Sequence, residues 1–173
     1  MKRCLAPFLG LLLGACATSA TLPAAGTPAT VREPFHLKLP RYPSGASFDV
    51  AQEKGRVVLL DVWATWCEPC KDALPVYAAL AQRYAARGLS VYTINVDTDA
   101  AAVGEFLTRL EVNLPVLLDK DALVAERDLH VRVMPTAFLV DRKGMLRHVH
   151  EGFSEDFQAR YETEIQALLA EAP

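Results

Sequence analysis

The sequence has no apolar run long enough to cross a bilayer as a helix, which takes about 20 residues; the stretch from Leu5 to Leu13 falls well short. It has no surplus of positive charge either. Its 18 Lys and Arg stand against 21 Asp and Glu, a net charge of −3, so no basic stripe is available and nucleic acid is not an expected partner. Cysteine is scarce, with four in 173 residues, and two of these are Cys4 and Cys16. A secreted disulfide framework would scatter its cysteines through the domain. Here everything after Cys16 holds one close pair, Cys67-Glu68-Pro69-Cys70, and no other thiol. That distribution describes a reactive couple and not a set of staples. No internal repeat is present. The balance of 51% hydrophobic and 23% charged residues is that of an ordinary globular domain, and the length suits one domain with a proper core.

Lys2 and Arg3 precede the Leu5–Leu13 run, the charge-then-apolar order of an export signal. The run ends in Leu13-Gly14-Ala15-Cys16, which resembles the lipobox of bacterial lipoproteins. In that class the cysteine thiol is diacylated and the signal is cut just before it. The resemblance implies a signal peptide over 1–15, with Cys4 discarded in it, and a lipidated Cys16. More than one acyl chain anchors a protein stably. The plainer alternative is a secretory signal cut nearby, with Cys16 incidental. From Ala17 to Pro34 the chain is rich in Ala, Thr and Pro and poor in large apolar residues. It cannot bury enough surface to order itself, so residues 16–34 are expected to be a tether reaching on the order of 20–25 Å. The folded domain is expected over 35–173, outside the cytoplasm and held at a membrane.

Phe35 to Leu39 alternates in the manner of a strand, and Pro40 to Gly45 is turn-rich. Val57 to Trp63 is a nearly continuous apolar run with β-branched residues, suited to a strand buried on both faces. A helix is expected from about Glu68 to Arg87, stopped by Gly88. Leu89 to Val96 reads as the next buried strand. Asp97 and Thr98 are expected to cap a helix over about 99–110. A short strand follows over Leu114–Leu118, then a helix from Asp121 to about Leu129. Thr136–Val140 and Met145–Val149 form strands joined by a turn with Gly144 at its end. Ser154 precedes a last helix with Phe157, Tyr161, Ile165, Leu168 and Leu169 at helical spacing. This order indicates an α/β domain with a central mixed sheet and helices on both faces.

The Cys67/Cys70 pair stands where a buried strand hands over to a helix. Free backbone N–H groups and the macrodipole favour negative charge there. A thiolate is the nucleophile of disulfide exchange, so the position is expected to lower the Cys67 pKa and raise its reactivity. Cys70 is three residues on, on the same helix face, and can close a disulfide with Cys67. Cys67 is then the attacking sulfur and Cys70 the resolving one. Pro69 removes an N–H that would lack a partner in the first turn. A zinc site would need a second ligand pair. His148 and His150 are the clustered candidates, and alternation places both on one strand face, expected to be solvated. No metal is therefore expected.

The segment Val58-Leu59-Leu60-Asp61-Val62-Trp63-Ala64-Thr65-Trp66-Cys67-Glu68-Pro69-Cys70-Lys71 resembles the active-site stretch of thioredoxins, and most of all their membrane-tethered TlpA/ResA-like branch. Met134-Pro135-Thr136-Ala137-Phe138-Leu139-Val140-Asp141 is similar to the family's cis-proline strand, and the helix and strand around Glu105–Leu118 to the branch's insertion. The likeness runs from about Phe35 to the C-terminus and implies a thioredoxin-like fold. It also implies that Pro135 is cis and faces the thiols, with Trp66, Pro69 and Met134 beside substrate, and that Pro75 kinks the active-site helix. Asp61 matches a buried acid that moves protons at the second cysteine. Burial raises the pKa of such an acid toward neutrality. The branch often has Asn there, and the lysine that neighbours this acid in thioredoxin corresponds to Thr93. A strand-end acid that is merely solvated is the plain alternative. Glu68 either serves the helix dipole or modulates thiolate formation and shuttles protons. Trp63 is read as core packing.

The reading is a thiol–disulfide oxidoreductase with no cofactor beyond the Cys67–Cys70 couple. The resemblance implies that it reduces disulfides of extracytoplasmic proteins, in the maturation of cytochrome c or copper centres. Electrons would come from a membrane donor of the CcdA or DsbD kind. A disulfide-forming oxidant and a Cu(I) chaperone using the two soft thiolates are the alternatives.

Overall fold

The computed structural model describes residues 32–172. The expected signal peptide, Cys4, Cys16 and most of the expected tether lie outside the described residues.

The fold is organised around β4 (Val57–Trp63). Its seven residues are all buried, as a run of Val, Leu and Trp requires when both sheet faces are covered. β5 (Leu89–Asn95) lies parallel to it on one side and β7 (Thr136–Val140) antiparallel on the other. The crossover from β4 to β5 is α1 (Cys70–Tyr84) followed by a 3₁₀ turn to Arg87. Gly88 then ends the helical segment at φ 105°, a conformation that a side chain would strain. α2 (Val103–Arg109) leads to β6 (Val116–Leu118), which adds parallel to β5. These two elements are the insertion expected around Glu105–Leu118. On the far side, β8 (Met145–Glu151) pairs antiparallel with β7 across the turn at Gly144. β1 (Glu33–Pro34) pairs with Leu146 and Met145, completing the order β1-β8-β7-β4-β5-β6. Two residues of the expected tether therefore belong to the sheet edge. β2 (Lys38–Pro40) and β3 (Ser47–Asp49) form a separate hairpin. The chain also carries α3 (Leu123–Arg127) and α4 (Glu155–Ala170).

Alternation along β4 separates the two faces. Trp63 points to one layer, where its ring stacks on Phe106 of α2 at 5.3 Å, and Tyr77 of α1 meets Tyr161 of α4 in the same layer. Val62 points the opposite way, toward Ala122 and Ala125 around α3. The β2–β3 hairpin covers that second face, with Phe48 against Tyr92 at 4.4 Å. The thioredoxin-like fold with a mixed sheet between two layers is thus the observed architecture.

Three local expectations are corrected. Asp97 and Thr98 do not cap the helix after β5; the Ala101 N–H goes to the Asp99 carboxylate at 2.9 Å. Asp121 does not cap α3; Asp119 accepts from the N–H groups of Val124 and Ala125 instead. The strand face with His148 and His150 is not solvated, because α4 lies over it. His150 Nε2 sits 2.6 Å from Glu164, and His148 is within 3.6 Å of the same carboxylate.

Candidate active site

The loop Ala64–Pro69 joins β4 to α1. Cys67 and Cys70 are disulfide-bonded, with their Cα atoms 5.4 Å apart. The helix starts later than the sequence suggested: Cys70 is its first residue and Pro69 stands at the cap. Pro69 has φ −67°, already helical, and offers no side-chain acceptor. No side-chain acceptor competes for the positive end of the helix dipole, which acts on the sulfur of Cys67, bonded to that of the first helical residue. Cys67 is 5% exposed and Cys70 is fully buried. Of the two, Cys67 alone keeps any exposed surface, the asymmetry expected of an attacking Cys67 and a resolving Cys70. Pro75 lies inside α1, where the resemblance puts it.

Asp61 is fully buried in the middle of β4, so it is not a solvated strand-end acid. Neither carboxylate oxygen has a hydrogen-bond partner among the described residues. Burial holds its carboxyl well above the ordinary aspartate range; the Tyr77 hydroxyl, which approaches without completing a hydrogen bond, lowers it by less. Thr93, opposite Asp61 on β5, is buried and supplies no charge.

The remaining residues divide between the two sides of the disulfide. Glu68 is exposed and its carboxylate is taken by Lys71 Nζ at 2.5 Å, a surface pair of small energetic weight. Trp66, within the loop, is 69% exposed. The Met134–Pro135 peptide is cis, as the resemblance implies. Trp66 and Met134 line one cavity of about 310 Å³ together with Val62, Val96, Ala122 and Val133. That cavity joins the thiol loop to the cis-proline segment. His148 and His150, weighed earlier as metal ligands, stand on β8, two strands from β4. Trp63 is fully buried against Phe106, in keeping with a packing role.

Two features were missed from sequence. Asp97, read as a cap, is buried and accepts the Thr65 N–H at 3.1 Å and the Asn95 side-chain amide at 2.9 Å, fastening the thiol loop to the end of β5. Its signal was present: an Asn-x-Asp directly after a buried strand. Tyr77, one of the apolar-face positions of α1, turned out to face Asp61, and no pattern in the sequence marks that.

The sequence pattern of the Redoxin family matches residues 22–165. The thiol-disulfide oxidoreductase ResA of Bacillus subtilis (strain 168) is 34% identical over 109 residues, covering 63% of this chain and 60% of ResA. The thioredoxin-like protein YneN of the same organism is 33% identical over 112 residues, covering 63% of this chain and 64% of YneN. The chain thus spans somewhat less than two thirds of the curated relatives it matches. Among solved structures, one described as a DsbE thiol:disulfide interchange protein from Chlorobium tepidum superposes with a TM-score of 0.74 at 28% identity, covering 83% of this chain and all of that one.

Proposed function

The chain belongs to the Redoxin family, and on that premise we propose that it is a thiol–disulfide oxidoreductase that reduces disulfides of proteins outside the cytoplasm. The observation that carries this reading is the Cys67–Cys70 disulfide at the mouth of α1, with Cys67 keeping a small exposed area and Cys70 fully buried. In the reduced protein the Cys67 thiolate attacks a substrate disulfide, and one substrate sulfur departs with the electron pair of the broken bond. Cys70 then loses its proton to Asp61 and attacks Cys67, expelling the second substrate sulfur as a thiolate. Two electrons pass to the substrate and the protein returns to the disulfide form. Trp66, Pro69, Met134 and Pro135 receive the substrate chain, and the cavity between Trp66 and Met134 takes a side chain beside its cysteine. Glu68, on the surface beside the loop, moderates thiolate formation at Cys67.

The likeness to ResA, a thiol-disulfide oxidoreductase, supports the exchange chemistry; on this reading the chain acts reductively, in the maturation of cytochrome c or copper centres, fed by a membrane donor of the CcdA or DsbD kind. The Lys2-Arg3 pair and the Leu5–Leu13 run ending in Leu13-Gly14-Ala15-Cys16 support the assignment of residues 1–15 as a signal peptide, Cys16 as the lipidated anchor and 16–34 as a tether ahead of the domain. Among the described residues no helix is long and apolar enough to cross a membrane; the attachment proposed is through Cys16. A Cys70→Ser variant expressed in the native organism is expected to accumulate mixed disulfides through Cys67, and their identity names the substrates. Recovery of no covalent partner, under conditions where Cys67 alkylates freely, would overturn the reading. A reduction potential near −270 mV, that of thioredoxin, supports the reductive direction; one near −120 mV reverses it.

A further inference from the structure

One row of residues crosses four strands at the level of Asp61. Thr93 of β5, Asp61 of β4, Ala137 of β7 and His150 of β8 are paired neighbour to neighbour, so all four point to the same face. Ala137 is small, and the helix layer carries two fully buried tyrosines, Tyr77 of α1 and Tyr161 of α4. Tyr77 lies seven residues after Cys70, on the same stripe of α1, and helical side chains lean toward the N-terminus, here toward the thiols. The two hydroxyls are 3.1 Å apart and the rings meet edge-on. Tyr161 also meets the edge of His150 at 4.7 Å, and Nε2 of His150 is bound to Glu164.

A phenolic hydroxyl has one hydrogen, so this pair can point its hydrogen bonds only one way at a time. In the structure Tyr77 donates to Tyr161 and stops short of Asp61; with Asp61 ionised, a turn of that hydroxyl lets Tyr161 donate to Tyr77 and Tyr77 to the carboxylate. With Asp61 neutral, the carboxyl donates to Tyr77 and Tyr77 donates to Tyr161. Either direction would serve one protonation state of an acid that no described residue satisfies in the structure and that Tyr77 approaches. We propose that Tyr77 and Tyr161 form a reversible hydroxyl chain that supports Asp61 in both protonation states and thereby sets the pH dependence of exchange at Cys67–Cys70. Tyr77 and Tyr161 are positioning residues acting through Asp61. The link to exchange rests on the function proposed above; the effect on Asp61 does not.

The groups facing this chain are few. From α1 it is Tyr77 that acts on Asp61, while Thr93 and Ala137 on the flanking strands do not titrate. Around Tyr161 stand Glu164 and Arg160 of its own helix and His150 of β8. In the oxidised protein the two cysteines carry no titrating proton. During resolution the Cys70 proton goes to Asp61, Tyr77 turns its hydrogen from Asp61 to Tyr161, and the leaving substrate sulfur takes the electron pair and later a proton from water.

The test is a carboxyl-carbon NMR titration of Asp61 in the oxidised full-length protein, wild type against Tyr77→Phe and Tyr161→Phe. Each variant keeps the ring and deletes one hydroxyl. A hydroxyl donated to the ionised carboxylate is charge-assisted and stronger than its bond with the neutral carboxyl, so deleting it is expected to raise the Asp61 midpoint by about one pH unit or more in Tyr77→Phe, and by less in Tyr161→Phe. The pH–rate profile of exchange should move by the same amount. An unchanged midpoint in folded variants, whatever their melting temperatures, would overturn the proposal. Should Tyr77→Phe fail to fold, Tyr161→Phe decides alone, since any upward shift there supports the chain and none defeats it. A shifted midpoint in a protein that exchanges no disulfides would leave the chain standing and remove the proposed function.

Discussion

On one side of the disulfide stand β4 and α1, regular, sealed and continuous with the core. On the other side stands the segment from Asp119 to Pro135, made of short turns in which Asp121, Ala122 and His130 have φ of 61°, 56° and 55°. Left-handed backbone at residues with a Cβ is disfavoured by about 1–2 kcal/mol each, so it persists only where other contacts dictate it. At Asp121 and Ala122 Asp119 dictates it by holding the N–H groups of Val124 and Ala125. The irregular side also leaves apolar surface in solvent: Leu123 is 64% exposed and Val133 47%. The difference teaches a division of labour. Disulfide exchange needs sulfurs and a proton acceptor in fixed positions, which a buried strand and helix provide. Recognition of varied polypeptides needs an open apolar rim, which loops provide.

The comparison can be broken first at the rigid side. Cys67→Ser should reduce insulin-disulfide reduction by about 10³-fold or more, while leaving the fold intact by circular dichroism. Residual exchange through Cys70 would deny the assigned roles. Asp61→Asn should slow exchange about ten-fold at pH 7 and much less at pH 9, where hydroxide takes over proton removal. The same substitution should stabilise the protein at neutral pH. Because burial raises the folded-state pKa of Asp61, its favourable contribution is complete below the unfolded value and is lost as pH rises through the folded one. The variant's stability advantage, about 1–3 kcal/mol at pH 8, should therefore shrink toward pH 3 in denaturant titrations.

Asp97→Ala tests the fastening between the two sides. It strips the Thr65 N–H and the Asn95 amide of their acceptor and should destabilise by about 1–3 kcal/mol, with a few-fold loss of kcat read in the same insulin assay. Trp66→Ala belongs to the open rim. It should change stability by less than about 0.5 kcal/mol and raise KM about five-fold, roughly 1 kcal/mol of lost contact. A large stability loss there would mean that Trp66 is core and not rim.

The rigid side was also the more legible one. Val57–Trp63 announced itself because a strand covered on both faces reads as an unbroken apolar run, and Asp61 stood out by interrupting it. Gly88 marked the end of the helical segment because no other residue tolerates that backbone as well. The cysteine pair followed from composition alone. What escaped depended on tertiary choice. Asp97 and Asp99, like Asp119 and Asp121, are acids two residues apart with equal intrinsic ability to cap, and packing decides which one meets the free N–H groups. His148 and His150 look solvated until α4, which begins after Ser154, folds back over them. Tyr77 and Tyr161 are 84 residues apart and meet only because two helices share one face of the sheet. Glu33–Pro34 joins the sheet by backbone pairing with β8, which side-chain composition does not reveal.

The central claim is that Cys67 and Cys70 are a reversible redox couple. Equilibration of the purified protein in dithiothreitol or glutathione buffers, with free thiols counted by alkylation and mass spectrometry, tests it directly. The account predicts full conversion in both directions along one two-electron curve, a tenfold change in ratio for every 29.6 mV. A disulfide that stays closed in strong reductant, or thiols that open and do not re-pair in oxidant, would contradict it.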